Sequence, residues 1–155
     1  MADLSTTKSY TGLKAIIIAK LQAILGKDDE ILFSSVYAVE KTSPSGYPCC
    51  FVFQKTGGGE VLDTHRNERE WQFDVVINQM VGNKTPEQAD AAILDSIDRI
   101  ISAFDEDPML LDVHDQSQCK WLEVVPITFG FTDDTKTMSV ADFVFAIKNV
   151  VNRYA

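Results

Sequence analysis

The chain has 155 residues, and its 14 basic and 23 acidic side chains give a formal net charge of −9. With 45% hydrophobic and 24% charged residues, the composition is that of one folded domain, residues 1–155, and argues against disorder, collagen-like repeats and coiled coil. No apolar run approaches the roughly 20 residues that span a bilayer, and the polar start of the chain lacks a secretory hydrophobic region. We therefore expect a soluble protein without membrane contact.

The acidic residues are concentrated in the C-terminal half. The segment Glu87–Asp142 holds 13 acidic residues and three basic ones, a local net charge of −10. Nucleic-acid binding needs clustered lysine and arginine to displace counterions from phosphates, so specific DNA or RNA binding is disfavoured. The cysteines Cys49, Cys50 and Cys119 form neither a disulfide framework nor a CxxC pair, which favours a reducing cytosol and small apolar core roles.

The first two predicted elements are a helix and a strand. Leu13–Leu25 repeats its apolar residues at helical spacing and is followed by Gly26, a favourable helix stop. Ile31–Val39 is rich in β-branched and aromatic residues and apolar on both faces, which predicts an inner strand. The Pro- and Gly-containing segment Thr42–Pro48 then predicts a loop.

A long β-hairpin is predicted next. Cys49–Lys55 forms its first strand, Gly57–Gly59 allows a tight reversal, and Glu68–Met80 forms the second strand with clean alternation of apolar and polar residues. The polar stretch Asp63–Arg69 between them cannot bury itself in a core. We expect it to project as an arm.

The C-terminal half predicts a helix and two further strands. Thr85 as cap, Pro86 at the first helical position and Gln88 at the capping-box position start a helix that runs to about Phe104. An acidic loop leads to a strand from about Lys120 to Thr132. Met138–Val151 fits both a helix stripe and a strand, and we predict a strand. The fold class expected is α+β, with a mostly antiparallel sheet, two helices packed on one face and a long projecting β-hairpin arm.

Motifs for catalysis or cofactor binding are weak. His65 and His114 lie in polar segments without a positioned serine or cysteine nucleophile. Adjacent cysteines on a strand point to opposite faces, which makes a zinc site from Cys49 and Cys50 awkward. The three glycines at 57–59 precede neither a helix start nor a P-loop lysine. We predict no catalytic residues, no metal and no cofactor.

A domain of this kind is expected to act by binding. The predicted arm combines Arg66 and Arg69 with Glu68 and Glu70, and mixed signs suit contact with another copy of the same chain. Solubility of an exposed loop explains the same charges equally well.

This chain resembles the tail terminator (tail completion) proteins of long-tailed bacteriophages. The resemblance lies in the order of elements and in the segment from Leu62 to Ile77, LDTHRNEREWQFDVVI. In that family a Tyr-Pro pair, here Tyr47-Pro48, opens a strand, and a polar Asn-Glu-Arg stretch, here Asn67–Arg69, leads into an aromatic, alternating strand. A helix started by proline, here Pro86, and a closing pair of strands follow. The resemblance covers most of the chain.

The resemblance implies a structural virion protein, not an enzyme. Such a subunit assembles in the host cytoplasm into a homohexameric ring at the head-proximal end of the tail. The ring caps the tail tube, stops its polymerisation and joins the head-side connector protein. Carried over by position, the residues expected to contact a neighbouring subunit or the tube are Gly57, Gly58, Gly59, His65, Arg66, Asn67, Glu68, Arg69 and Glu70.

The acidic residues suggest a further hypothesis about the ring. Carboxylates lining its lumen would repel phosphate and let DNA pass without sticking. The candidates are Asp105, Glu106, Asp107, Asp133 and Asp134. A related head–tail joining (neck) protein is the alternative function, and an enzyme on a similar scaffold, with His65 or His114 in a pocket, is a third.

Overall fold

A computed structural model describes residues 10–39, 46–55, 59–61, 66–106, 121–131 and 138–152. These residues form two helices and six strands. In chain order the elements are α1 (Tyr10–Ala23), β1 (Ser35–Tyr37), β2 (Cys49–Lys55), β3 (Gly59–Val61), β4 (Arg66–Met80), α2 (Pro86–Asp105), β5 (Trp121–Phe131) and β6 (Met138–Asn152). The predicted α+β class is confirmed.

One mixed, mostly antiparallel sheet organises the fold. Its strand order is β1-β2-β4-β6-β5, with β3 pairing β4 beside the end of β2. Only β1 and β2 are parallel among the described pairs. The central pair is β4 with β6, each 15 residues long and matched from Arg66↔Asn152 to Met80↔Met138. These two strands form the framework on which the other elements are arranged.

The hydrophobic core lies between the two helices and one face of the sheet, which we call the core face. On β4 and β6 the buried side chains alternate with half-buried ones, as the sequence of β4 predicts. Side chains from both helices join these strand residues in one cluster, so both helices pack on the same face. The cluster includes Leu13, Ile17, Leu21, Phe73, Val75, Ile77, Ile93, Ile97, Ile100, Phe104, Phe143, Phe145 and Ile147.

The second helix begins as its sequence predicts. The Thr85 hydroxyl accepts from Gln88 N at 3.2 Å, and the Gln88 side chain accepts from Thr85 N at 3.1 Å. This capping box, with Pro86 behind the cap, satisfies backbone donors that a helix start leaves without partners. Before it, Gly82 adopts φ 60 in the turn closed by Lys84 N donating to Val81 O, a left-handed conformation that favours glycine.

The prediction of an inner strand at Ile31–Val39 is wrong. Only Ser35–Tyr37 joins the sheet, as a short strand at the edge of its described part. The preceding residues turn back toward the end of α1 instead, since Leu25 bridges Ile31 and Leu32 N donates to Ile24 O. Ile31 and Val39 are consequently 67% and 62% exposed.

The predicted pairing of Cys49–Lys55 with the strand ending at Met80 is confirmed. The chain does not reverse at Gly59, however. Gly59 pairs with Arg69 in β3, and Val61 pairs with Asn67, so the chain reverses after Val61. Between the pairs Lys55↔Gln72 and Gly59↔Arg69 the chain advances four residues on the β2–β3 side and three residues on β4.

The strand assignment of the C-terminal segment is confirmed. β6 spans Met138–Asn152 and is hydrogen-bonded to β4 on one side and β5 on the other. β5 confirms the strand predicted at 120–132 and carries a register irregularity between Pro126 and Thr128. Pro126 has no backbone N–H to donate, and β5 lies at the edge of the described sheet, where one missing donor costs little.

Candidate functional site

The polar end of β4, Arg66–Glu70, is a paired strand segment. Its residues are matched by β6 from Arg66↔Asn152 to Glu70↔Lys148, and Asn67–Arg69 are also matched by β3. The ladder continues five residues beyond Trp71, which corresponds to about 17 Å. A freely projecting two-stranded arm is not confirmed, because the polar end is a continuation of the sheet with a strand on each side.

The other predicted contact residues divide between described and undescribed parts of the chain. Gly59 lies in β3, and Glu70 lies directly opposite Lys148 in the β4–β6 ladder. The Gln72 side chain donates to the Glu70 carboxylate at 3.4 Å. Gly57, Gly58 and His65 lie outside the described residues.

The face of the sheet turned away from the helices, which we call the open face, combines apolar and charged side chains. None of the described helices packs on it. On β6 its residues are Met138, Val140, Asp142, Val144, Ala146 and Lys148. Four of these six are apolar, whereas the solvated face of an antiparallel sheet is usually polar.

An aromatic row continues the open face toward β1. Tyr37 stacks on Phe51 with ring centroids 5.7 Å apart, and Phe51 stacks on Phe53 at 6.4 Å. Phe51 is 2% exposed, while Phe53 is half-buried. At the other end of β4, Met80 is 46% exposed.

Three charged side chains lie at the centre of the open face. Lys55 Nζ approaches Asp74 Oδ1 at 3.5 Å, with the two side chains 39% and 26% exposed. Asp142 lies diagonally across from Asp74, because Asp74 pairs with Val144 and Asp142 pairs with Val76. The Oδ1 atom of Asp142 is buried and accepts no hydrogen bond from the described residues.

The electrostatics of Asp142 follow from this arrangement. Burial raises the pKa of its carboxyl group, the negative charge of Asp74 raises it further, and the positive charge of Lys55 opposes both effects. One lysine thus faces two carboxylates. Oδ1 of Asp74 and Oδ1 of Asp142 are both buried without a hydrogen-bond partner among the described residues, and Thr128 of β5 is paired directly with Asp142.

The candidate acidic lumen is described only in part. Asp105 ends α2 and Glu106 is its C-cap residue, and both are exposed. Negative charges at a helix C-terminus oppose the helix dipole, so these two residues do not serve helix stability. Asp107, Asp133 and Asp134 lie outside the described residues.

The described residues give no indication of a reactive cysteine or of a metal site. Cys49 and Cys50 are both fully buried on opposite faces of β2, and burial raises the pKa of both thiols, so both are inert apolar residues as predicted. His65, His114 and Cys119 lie outside the described ranges. Within those ranges no three histidine, cysteine or acidic side chains are grouped to hold a metal ion.

Neither α1 nor α2, the two described helices, combines the length and hydropathy needed to cross a membrane.

The larger described groove lies between α2 and the turn after α1. It is lined by Ile31, Gln79, Ala92, Ser96 and Arg99 among others. Within it, Arg99 Nε donates to Asp95 at 2.8 Å and Arg99 Nη1 donates to Leu25 O at 3.2 Å. The second of these hydrogen bonds connects α2 to the segment after α1.

Sequence reasoning overlooked the open face. Its signal is present in the strand patterns, because β6 alternates between core residues and a second set that is itself largely apolar. The strand pattern by itself does not distinguish a second buried face from a face that no helix covers. Comparison with protein-family models and with curated protein sequences finds no match for this chain.

Proposed function

We propose that this protein is a tail terminator of a long-tailed bacteriophage. It is a structural subunit that forms a homohexameric ring on the end of the tail tube, stops tube growth and offers a joining surface to the head-side connector. The ring binds the growing end as the next tube subunit would. Its opposite face lacks the surface that a further subunit needs, so polymerisation ends there.

The observation that carries the proposal is the order of elements around the segment that bears the resemblance. A strand starts after Tyr47-Pro48, the polar Asn67–Arg69 stretch lies in β4, and α2 starts at Pro86. The antiparallel pair β5 and β6 closes the chain. This order is the one that the resemblance implies, and the described residues present no competing metal cluster.

The polar end of β4 supports an assembly role on physical grounds. A segment paired on both sides loses little further conformational entropy when it binds, so it is suited to a repeated contact between subunits. The exposed acids Asp105 and Glu106, which oppose the dipole of α2, are consistent with a lumen that repels DNA phosphate.

The proposal is tested by adding the purified protein to the polymerising tail tube protein of the same phage. We expect shorter tubes as the ratio of added protein rises, with a six-fold ring at one end of each tube in electron micrographs. Heat-denatured protein is the control. Tubes of unchanged length without end rings would refute the function, whereas binding to the head-side connector alone would favour the neck protein.

A further inference from the structure

We propose that copies of this chain join head to tail, with Leu94 of α2 and its neighbouring carboxylates from one copy seated in a groove beside α1 of the next copy. This inference rests on the proposed ring and assigns one of its subunit contacts. A ring needs two different surfaces on each subunit, placed so that the first surface of one copy meets the second surface of the next. The described residues contain such a pair of surfaces.

The receiving surface is a groove between α1 and the C-terminal ends of β1 and β2, which we call the α1 groove. It has a volume of about 450 Å³, and its lining includes Tyr10, Lys14, Ala15, Ile18, Ala38 and Gln54. Most of its accessible surface is apolar. Val39, the residue after Ala38, is 62% exposed. Exposed apolar surface around a groove favours a protein partner.

Lys14 gives the α1 groove a positive charge that no described carboxylate neutralises. Its Nζ donates to the neutral Gln54 Oε1 at 2.9 Å, and it forms no ion pair with the described acidic residues. Burial lowers the pKa of Lys14, since the ammonium group loses part of its hydration there. A partner that brings a carboxylate supplies the missing counter-charge.

The inserting surface is the exposed side of α2 around Leu94. Leu94 is 38% exposed, and Asp90 and Asp98 lie one turn before and one turn after it on the same side of the helix. Both aspartates are exposed, and neither forms an ion pair with a described residue. An apolar side chain between two carboxylates is complementary to an apolar groove that contains a lysine.

The net charges of the two helices favour the same pairing. Helix α1 contains two lysines and no acidic residue, a net charge of +2. Helix α2 contains five acidic residues and one arginine, a net charge of −4. Contacts of α1 with α1, or of α2 with α2, bring like charges together and are disfavoured. A contact between α2 of one copy and α1 of another is therefore preferred, and it is the head-to-tail kind that closes into rings.

The two surfaces lie on opposite sides of the subunit. Helix α1 packs on β1 and β2 at one edge of the described sheet, and α2 packs on β5 and β6 at the other. Lys20 of α1 contacts a ring of α2, and Arg99 of α2 donates to a carbonyl after α1, so these residues mark the facing sides of the helices. At 3.6 residues per turn, Lys14 is about 120° around α1 from Lys20, and Leu94 is about 140° around α2 from Arg99. The α1 groove and Leu94 consequently face away from each other, and only another copy brings them together.

Variants of both surfaces test the contact, with self-association of the full chain followed by analytical ultracentrifugation and by electron microscopy on tail tubes. Lys14→Glu should abolish association. Leu94→Ala should weaken it about tenfold, because a side chain at the centre of the contact is truncated. Lys27→Glu is the matched control, since it makes the same charge change on the exposed turn after α1, and it should leave association unchanged. Circular dichroism verifies the fold of each variant, and equal effects of Lys14→Glu and Lys27→Glu would overturn the inference.

A charge exchange identifies the partner residues. The variant Asp90→Lys/Asp98→Lys should not associate alone, and neither should Lys14→Glu. Mixed in equal amounts, the two variants should form rings in which they alternate, because every contact then joins a cation to carboxylates. Restored assembly supports the inference. Association of either variant alone, or loss in both without restoration on mixing, overturns it.

The inference and the function fail differently. If Lys14→Glu forms the same rings as the natural chain and still stops tube growth, the inference is wrong and the terminator function stands. If the natural chain forms rings that leave tube length unchanged, while the charge exchange restores assembly, the function is wrong and the contact stands. A natural chain that stays monomeric both alone and with tail tubes overturns both.

Discussion

Replacement of Phe104 by alanine should be among the most destabilising single changes in this protein. Phe104 is 1% exposed, and its ring meets Phe145 of β6 edge to face with centroids 4.6 Å apart. Lys20 Nζ of α1 lies 5.6 Å from the centroid of the same ring. One side chain thus joins both helices to the central strand pair.

The magnitude follows from these contacts. Truncating a buried phenylalanine to alanine costs about 3–5 kcal/mol, because apolar contact is lost and a cavity remains. Leucine retains most of the apolar volume but loses the aromatic pair, worth about 0.5–1.5 kcal/mol, and the cation–π contact, worth about 0.5–1 kcal/mol. Phe104→Leu should therefore cost about 1–2.5 kcal/mol. The total free energy of unfolding of a domain is about 5–15 kcal/mol, so the alanine substitution should remove a large fraction of it.

Urea unfolding followed by circular dichroism measures these differences. With a slope of about 2 kcal/mol per molar urea, Phe104→Ala should lower the midpoint by about 1.5–2.5 M. Leu94→Ala on the exposed side of the same helix is the control, since Leu94 is 38% exposed, and it should change the midpoint little. If Phe104→Ala and Leu94→Ala shift the midpoint equally, the assignment of Phe104 as the junction of the core is wrong.

Three further predictions concern the cap, the open face and the thiols. Thr85→Ala should cost about 1 kcal/mol by removing the capping box, and Thr85→Ser should recover most of it in the same urea assay. Because burial and the charge of Asp74 raise the pKa of Asp142 in the folded chain, its ionised form opposes folding at neutral pH. Asp142→Asn should therefore unfold at higher urea than the natural chain at pH 7, with the difference vanishing as the pH falls toward about 4. An unchanged difference across this range would contradict the raised pKa. With the third cysteine replaced by serine, Cys49 and Cys50 should not react with Ellman's reagent until urea unfolds the chain, since both are fully buried. Rapid reaction in native buffer would show that β2 is exposed.

Local patterns determined the elements whose stability is local. The capping residues around Thr85 and the stripe of α2 predicted the helix correctly, because both its hydrogen-bond donors and its apolar face lie within a short segment. The alternation of Trp71, Phe73, Val75 and Ile77 likewise predicted which face of β4 is buried. The polar Asn67–Arg69 stretch was recognised as a candidate contact, but its pairing on both sides was not.

The tertiary structure alone decided the elements that depend on partners distant in sequence. Met138–Val151 suits a helix or a strand by its own pattern, and it is a strand because β4 and β5 supply hydrogen bonds along its two edges. Ile31–Val39 has the composition of an inner strand, yet most of it lies outside the sheet because the turn after α1 pairs Leu25 with Ile31. The juxtaposition of Asp74 and Asp142 is of the same kind. It arises from the register of two strands whose paired residues are 58 to 86 positions apart in the chain, and no local pattern encodes that register.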